Sequence, residues 1–343
     1  MFGLLGRTLG HTYSPMIHQA LGNTSYDIFE MEPNQLQDFF NRSELQGLNI
    51  TIPYKINALQ ACHHISDIAK AIGCVNTMVR QADGSWYGTN TDYDGFLATL
   101  DWSSIEVTNK HCLILGDGAS SNTVHVALER LGAASITHIS RHHFPTYEHI
   151  AQFYEQAQVI INCTPVGMYP HCPDQSIRLA PFTHLEGVID LVYNPHRTAI
   201  LIEAESLNIL HVNGLVFLLA QAMAASALFL HRPYDESIRS GLYKQFRRNQ
   251  ENIVLIGMPG SGKSTIGEAL AKLTGRTLID IDNRITEEVG AISDYILIHG
   301  EPAFRAIESR IITDVGKQTG LIISTGGGAV TTPENFAPLR QNG

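Results

Sequence analysis

"HCLILGDGASSNTVHVAL", residues 111–128, runs from an apolar stretch through a glycine turn into a helical pattern. The spacing predicts a strand over 111–115, a turn at Gly116 and Gly118, and a helix directly behind it. Gly116 permits a tight turn and Gly118 lets backbone approach a pyrophosphate, while the first N–H groups of the helix attract anions. A glycine pair after a strand can equally be only a turn. The next strand, "ITHISRHH" (136–143), ends in Ser140 and Arg141, where NAD-binding proteins carry Asp or Glu for the ribose hydroxyls. A guanidinium suits a 2′-phosphate instead; the alternative is an arginine exposed in a loop. Asp117 is unfavourable beside a pyrophosphate, because like charges repel.

Outward from this turn, strand-like runs alternate with helical patterns, which predicts an α/β architecture with largely parallel sheets. "FGLLG", "YDIFEM" and "LNITIP" read as strands, with helical patterns from about Ser14, Pro33 and Tyr54. "VNTMVRQADGSWYG" reads as a hairpin turning at Asp83–Gly84. "SITHIS", "QVIINCT", "GVIDLV" and "ILHVNG" continue the second set of strands, and a further unit opens with "IVLIG" at 253–257. The apolar stretch 215–230 is too short to span a bilayer and reads as a helix buried between domains.

The chain has 343 residues, 44% hydrophobic and 16% charged, enough for two or three domains with sizeable cores. A formal net charge of −10 argues against nucleic acid or an anionic membrane as partner. Five cysteines without CxxC spacing and 16 histidines without HExxH spacing predict reduced thiols and no structural metal. No secretory signal is visible, and a soluble cytoplasmic protein, monomer or homodimer, is expected.

"LNITIPYK", residues 48–55, alternates apolar and polar residues as a half-buried strand does, with Leu48, Ile50 and Ile52 on one face. Pro53 cannot extend the ladder, and Lys55 follows where the strand breaks off. Lys55 either begins a surface helix or is delivered into a cleft by a rigid sheet.

"GRTLGHTYSPMIHQAL", "GLNITIPYK", "AIGCVNTMV", "YGTNTDYDGF", "VIDLVYNPHRTAIL" and "NGLVFLLAQA", in this order over residues 1–245, together resemble the shikimate dehydrogenase family. The resemblance implies an α/β substrate domain (1–98, completed by helices at 215–246) and a Rossmann domain for NADP (99–214). It makes Lys55 and Asp92 the catalytic pair. Hydride addition to a ketone leaves an alkoxide that needs a proton and a nearby positive charge, which a lysine oriented by a carboxylate supplies. Substrate contacts carried over are Thr12, Ser14, Thr51, Lys55, Asn76, Asp92, Tyr193 and Gln221, whose hydroxyls and amides suit a small polyhydroxylated carboxylate such as 3-dehydroshikimate or shikimate. NADP(H) contacts are Gly116, Gly118, Ala119, Ser120, Ser140, Arg141, Thr164 and Gly214. Thr12 replaces the family's usual serine, its methyl crowding quinate more than shikimate, and a quinate dehydrogenase remains the runner-up. Asp117 and Ala119 depart from the family's turn. Asn122 stands where an arginine is common, which leaves Arg141 to recognise the phosphate.

"GMPGSGKST", residues 257–265, fits the P-loop pattern between a strand and a helix. Gly260, Ser261, Gly262, Lys263, Ser264 and Thr265 would wrap the phosphates of ATP, with Ser264 on Mg²⁺. "LIDIDNRIT", "HGEPAFRAIE" and "STGGGAV" are similar to shikimate kinase. That resemblance places Asp282, Arg305, Gly326, Gly327 and Gly328 around shikimate, with Asp280 near the metal. It also implies that 250–343 is only a partial P-loop kinase α/β unit, lacking a lid arginine and leaving "IVLIG" and "LIIST" poorly covered. The rival is a nucleotide-sensing or assembly module without kinase chemistry.

Overall fold

A computed structural model describes residues 1–10, 12–169 and 172–343. Contacts divide the chain into two compact units. Unit 1 comprises Met1–Thr164, Ala180–Leu191 and Ile209–Tyr243; unit 2 comprises Pro165–Leu179, Val192–Asn208 and Lys244–Gly343.

The first part of unit 1 runs β1 (Phe2–Gly6), α1 (Ser14–Ala20), β2 (Tyr26–Glu30), α2 (Leu36–Phe40), β3 (Gly47–Ile50), α3 (Lys55–Ala61), β4 (His64–Ile65), α4 (Asp67–Ile72), β5 (Thr77–Arg80), β6 (Trp86–Thr89) and α5 (Asp92–Ser103). Its strands form one sheet in the order β2-β1-β3-β5-β6-β4. β1 is parallel to β2 and β3, whereas β5 is antiparallel to both its neighbours. The hairpin expected between β5 and β6 is present, with Gly84 in the left-handed region at φ 84°.

The expected half-buried strand at 48–52 needs correcting. β3 ends at Ile50 and all four of its residues are buried, Asn49 included, while Ile52 is 76% exposed. A strand flanked by β1 and β5 and covered on both faces follows no alternating rule. Its one polar side chain is retained because hydrogen bonds satisfy it.

The second sheet is all parallel. It contains β7 (His111–Leu115), β8 (Ser135–Ile139), β9 (Val159–Asn162), β10 (Gly187–Asp190) and β11 (Leu210–Val212), in the order β11-β10-β9-β7-β8. α6 (Ala119–Arg130) joins β7 to β8 and buries Val124, Ala127 and Leu128 in the core with Ile114, Val159 and Ile161. Between β10 and β11 the chain passes through unit 2 as α7 (Ala199–Ser206). α8 (Leu215–Phe229) packs along α5 and touches α1. The two helix axes approach closely because position 95 is glycine: a Cβ there would lie 2.8 Å from the carbonyl oxygen of Phe217 and 3.2 Å from Cβ of Gln221. α9 (Arg239–Gln250) leads towards the rest of the chain.

Unit 2 contains β12 (Ile253–Leu255), α10 (Lys263–Thr274), β13 (Leu278–Asp280), α11 (Ile281–Val289), α12 (Ile292–His299), α13 (Glu301–Gly316), β14 (Ile322–Ser324) and α14 (Phe336–Gln341). Three parallel strands run in the order β12-β14-β13. The strand "LIIST", expected to be poorly covered, is the central one. Ile322 and Ile323 are fully buried, and Ile323 packs with Ile281, Phe304, Ile312 and Leu339. The outer strand β12 is only half-buried.

Candidate active site

Lys55 and Asp92 are each the first residue of a helix, α3 and α5. Asp92 therefore sits where the helix dipole favours a negative charge. Lys55 Nζ lies 2.5 Å from Asp92 Oδ2, and the two side chains are 12% and 8% exposed. Burial alone would pull the Lys55 ammonium below its ordinary value. The Asp92 charge and hydrogen bond, with a smaller contribution from Cys74, outweigh it and hold the ammonium above that value. The surface-helix alternative for Lys55 is thus not what the structure contains.

The supporting residues come from two strand ends. The Lys55 carbonyl accepts from Val75 N, and Asn90 Oδ1 accepts from Asp92 N at 3.1 Å. Asn90 Nδ2 in turn donates to the Cys74 carbonyl at 3.2 Å and Sγ at 3.3 Å. Asn76 Oδ1 accepts from Thr91 N at 2.7 Å, which ties it to the residue before Asp92. Thr12 donates to Ser14 Oγ at 3.1 Å in the loop after β1. Thr51 N donates to the Leu5 carbonyl, and the Thr51 methyl covers Gly6. Gln221 projects from α8, its Nε2 bonded to the Leu218 carbonyl at 2.9 Å. All of these belong to unit 1; Tyr193 belongs to unit 2. Sequence reasoning missed Asn90 and Thr77, whose only signal was a polar residue beside a chemically important one.

At the dinucleotide turn, Gly116 takes φ 117°, which a side chain rarely adopts. Gly118 is the N-cap of α6, no side chain caps that helix, and the space a Cβ would take at Gly118 is open. The amides of Ala119 and Ser120 thus open the helix as an anion site would require. Arg141 is exposed. Ser140 is buried; its hydroxyl accepts from His142 N and His143 N and donates to the His143 carbonyl, so it shapes the turn behind Arg141. Asp117 has the His143 ring 3.7 Å away. Thr164 donates to Asn162 Oδ1 at 2.7 Å, and Gly214 caps α8 tightly against Leu191. These residues fit a phosphorylated dinucleotide.

In unit 2, Gly257, Gly260 and Gly262 all have positive φ, and Lys263 Nζ donates to the Gly257 and Met258 carbonyls at 2.7 and 3.0 Å. Ser261, Ser264 and Thr265 complete the loop and first helical turn. Ser264 Oγ meets Asp280 Oδ2 at 3.1 Å, a pair of hard oxygen donors that suits Mg²⁺. Among the described residues no group of three or more His, Cys, Asp or Glu could hold a metal. Burial, then the charge of Asp280, raises the Asp282 carboxyl against the opposing pull of Lys263 and Arg305. A Cβ at Gly326 would lie 2.7 Å from both Asp282 Oδ1 and Glu308 Oε1, and side chains at Gly327 or Gly328 would strike Pro259 or Arg305. Glu308 is the residue that sequence reasoning missed here. It is fully buried, pairs with Arg305 at 2.7 Å, and leaves Oε1 without a partner.

Comparison with known proteins agrees with these two regions. Residues 4–78 match the family model for the shikimate dehydrogenase substrate binding domain, and residues 259–343 match that for shikimate kinase. A shikimate dehydrogenase (NADP(+)) of Clostridium beijerinckii is 32% identical over 265 residues, covering 71% of this chain and 97% of that protein. The chorismate mutase/shikimate 5-dehydrogenase fusion protein of Clostridium acetobutylicum superposes with a TM-score of 0.67 at 31% identity, over 71% of this chain and 96% of that one. Shikimate 5-dehydrogenase of Thermus thermophilus, in complex with NADP(H) and shikimate, gives a TM-score of 0.63 at 27% identity, over 71% and 98%.

Proposed function

This chain belongs to the shikimate dehydrogenase family, and from that premise we propose that it reduces 3-dehydroshikimate to shikimate with NADPH. The observation that carries the reading is the buried Lys55–Asp92 pair, a charged ammonium held by a carboxylate at 2.5 Å. NADPH, when bound, supplies the hydride. Lys55 then does two things at the same oxygen: its charge stabilises the developing alkoxide and its Nζ donates the proton. Asp92 keeps that ammonium charged and aimed, and Asn90 holds Asp92 through its backbone N–H. Thr12, Ser14, Thr51, Asn76 and Gln221 are the proposed holders of the substrate's carboxylate and hydroxyls. Gly116, Gly118, Ala119 and Ser120 would take the pyrophosphate, and Arg141 the 2′-phosphate, with Thr164 and Gly214 flanking the cofactor. The test is a set of initial rates with shikimate and quinate, each with NADP⁺ and NAD⁺. Shikimate with NADP⁺ is expected to be fastest; preference for quinate with NAD⁺ would overturn the reading.

For residues 250–343 we propose ATP binding at the P-loop, with Ser264 and Asp280 on Mg²⁺ and a shikimate site formed by Asp282, Arg305 and Gly326–Gly328. Glu308 would orient the Arg305 guanidinium. ATP titration of the chain and of Lys263→Ala, with Mg²⁺ present, checks the nucleotide part. Shikimate-dependent ADP release would separate kinase chemistry from nucleotide sensing.

A further inference from the structure

A chain of buried polar side chains crosses the first sheet behind Asn76. Tyr26 on β2 donates its hydroxyl to Asn49 Oδ1 at 2.8 Å, and Asn49 Nδ2 donates to Thr77 Oγ1 at 3.1 Å. Thr77 Oγ1 reaches Asn76 Oδ1 at 3.1 Å and Thr91 Oγ1 at 2.9 Å. All five residues are buried. Burial in such a low-dielectric setting makes an unmet polar group costly, so a network of this kind persists only when its members satisfy one another.

Proton counting fixes the direction at the far end. A backbone N–H can only donate, so the atom of Asn76 facing Thr91 N must be the carboxamide oxygen. The hydroxyls of Thr77 and Thr91 stand 3.1 and 3.3 Å from that oxygen and 2.9 Å from each other; with one proton apiece, one of them donates to Oδ1 and the other to its neighbour. With its acceptor side saturated, Asn76 has Nδ2 left to offer as a donor. His18 stands at the other end. It is stacked on Tyr26 at 4.0 Å, and burial drives its pKa down to about 3, so it stays neutral and adds no charge to the network.

We propose that Thr77, backed by Asn49 and Tyr26, is a positioning residue that locks Asn76 as a hydrogen-bond donor, so that the site selects a substrate with an acceptor oxygen at that point. This rests on the reading of Asn76 as a substrate contact. With Thr91 N still holding Oδ1, losing the Thr77 hydroxyl removes that oxygen's side-chain support and loosens the aim of Nδ2 at the substrate. The loss appears in substrate binding, because the reacting atoms are elsewhere.

A double-mutant cycle tests it, with KM for shikimate and kcat measured at saturating NADP⁺. Thr77→Val is expected to raise KM about tenfold while kcat changes less than about threefold, and Thr77→Ser to restore KM. In an Asn76→Ala background Thr77→Val should change KM by less than about twofold, because its effect passes through Asn76. Tyr26→Phe, which keeps the ring stacked, gives a second reading of the network should Thr77→Val fail to fold. Equal fold-changes with and without Asn76, or an unchanged KM in both hydroxyl deletions, would overturn the proposal. A chain that binds shikimate without oxidising it contradicts the proposed activity, and the same cycle is then judged on dissociation constants. A chain that does not bind shikimate overturns both.

Discussion

Lys55 illustrates how two opposing effects decide a side chain's chemistry. Burial disfavours its charge, and the Asp92 carboxylate more than restores it. Removing the carboxylate charge while keeping its shape, in Asp92→Asn, leaves burial opposed only by the smaller contribution of Cys74. The Lys55 pKa then falls below its ordinary value instead of standing above it. Reduction needs the protonated lysine, so its rate should be flat up to the ordinary lysine range in the unmutated chain. In Asp92→Asn it should decline at a lower pH, with kcat reduced about 10²-fold at neutral pH. A pH–rate profile of dehydroshikimate reduction checks both. Arg141 offers a second test at this scale. Arg141→Ala should raise KM for NADP⁺ about tenfold, the effect of losing a charged hydrogen-bonded contact, and leave KM for NAD⁺ unchanged. Of these residues, Lys55, Asp92 and Arg141 were named from motif and resemblance, and the structure brings the first two together. Glu308 and Asn90 were not legible in this way, because their importance lies in what they touch: one meets Arg305, the other the backbone of Asp92.

At the scale of elements, glycine turns and apolar runs mark nearly every strand and helix start, including the hairpin at Gly84 and the helix behind Gly118. What a strand's own pattern does not reveal is what covers it. Alternation in "LNITIP" suggested one buried face, but the sheet order makes β3 interior, its ladder ends at Ile50, and Ile52 faces solvent. Ile52→Ser should therefore change stability by less than about 0.5 kcal/mol, whereas a core isoleucine would cost several times that. Denaturant unfolding distinguishes the two. The α5–α8 contact gives the opposite case. Gly95→Ala places a methyl against the Phe217 carbonyl oxygen and forces apart the helices that carry Asp92 and Gln221. A loss of about 1–3 kcal/mol is expected by the same measurement.

For the whole molecule, buried neutral histidines link stability to pH, with His18 in unit 1 and His196 in unit 2 shifted furthest among the described residues. Burial lowers His18 to about 3 and His196 to about 4, the latter with Glu251 opposing and Arg247 and Arg197 assisting. An unfolded histidine takes up a proton near its ordinary value of 6.5, which the folded form refuses. The contribution is therefore complete above that pH and is lost as pH falls, by about 1.4 kcal/mol per pH unit for each site. Unfolding free energies between pH 6.5 and 5 should fall less steeply in His18→Leu than in the unmutated chain. This slope belongs to the tertiary fold and no sequence pattern announces it, since His18 owes its neutrality to Tyr26, Phe229 and the sheet beneath them. The role of the buried Lys55 ammonium in carbonyl reduction is checked by kcat and KM for shikimate oxidation in Lys55→Ala beside the unmutated chain. A positioned acid at Lys55 means that kcat falls by about 10²-fold or more while KM changes far less. A variant that keeps a near-normal kcat would contradict it.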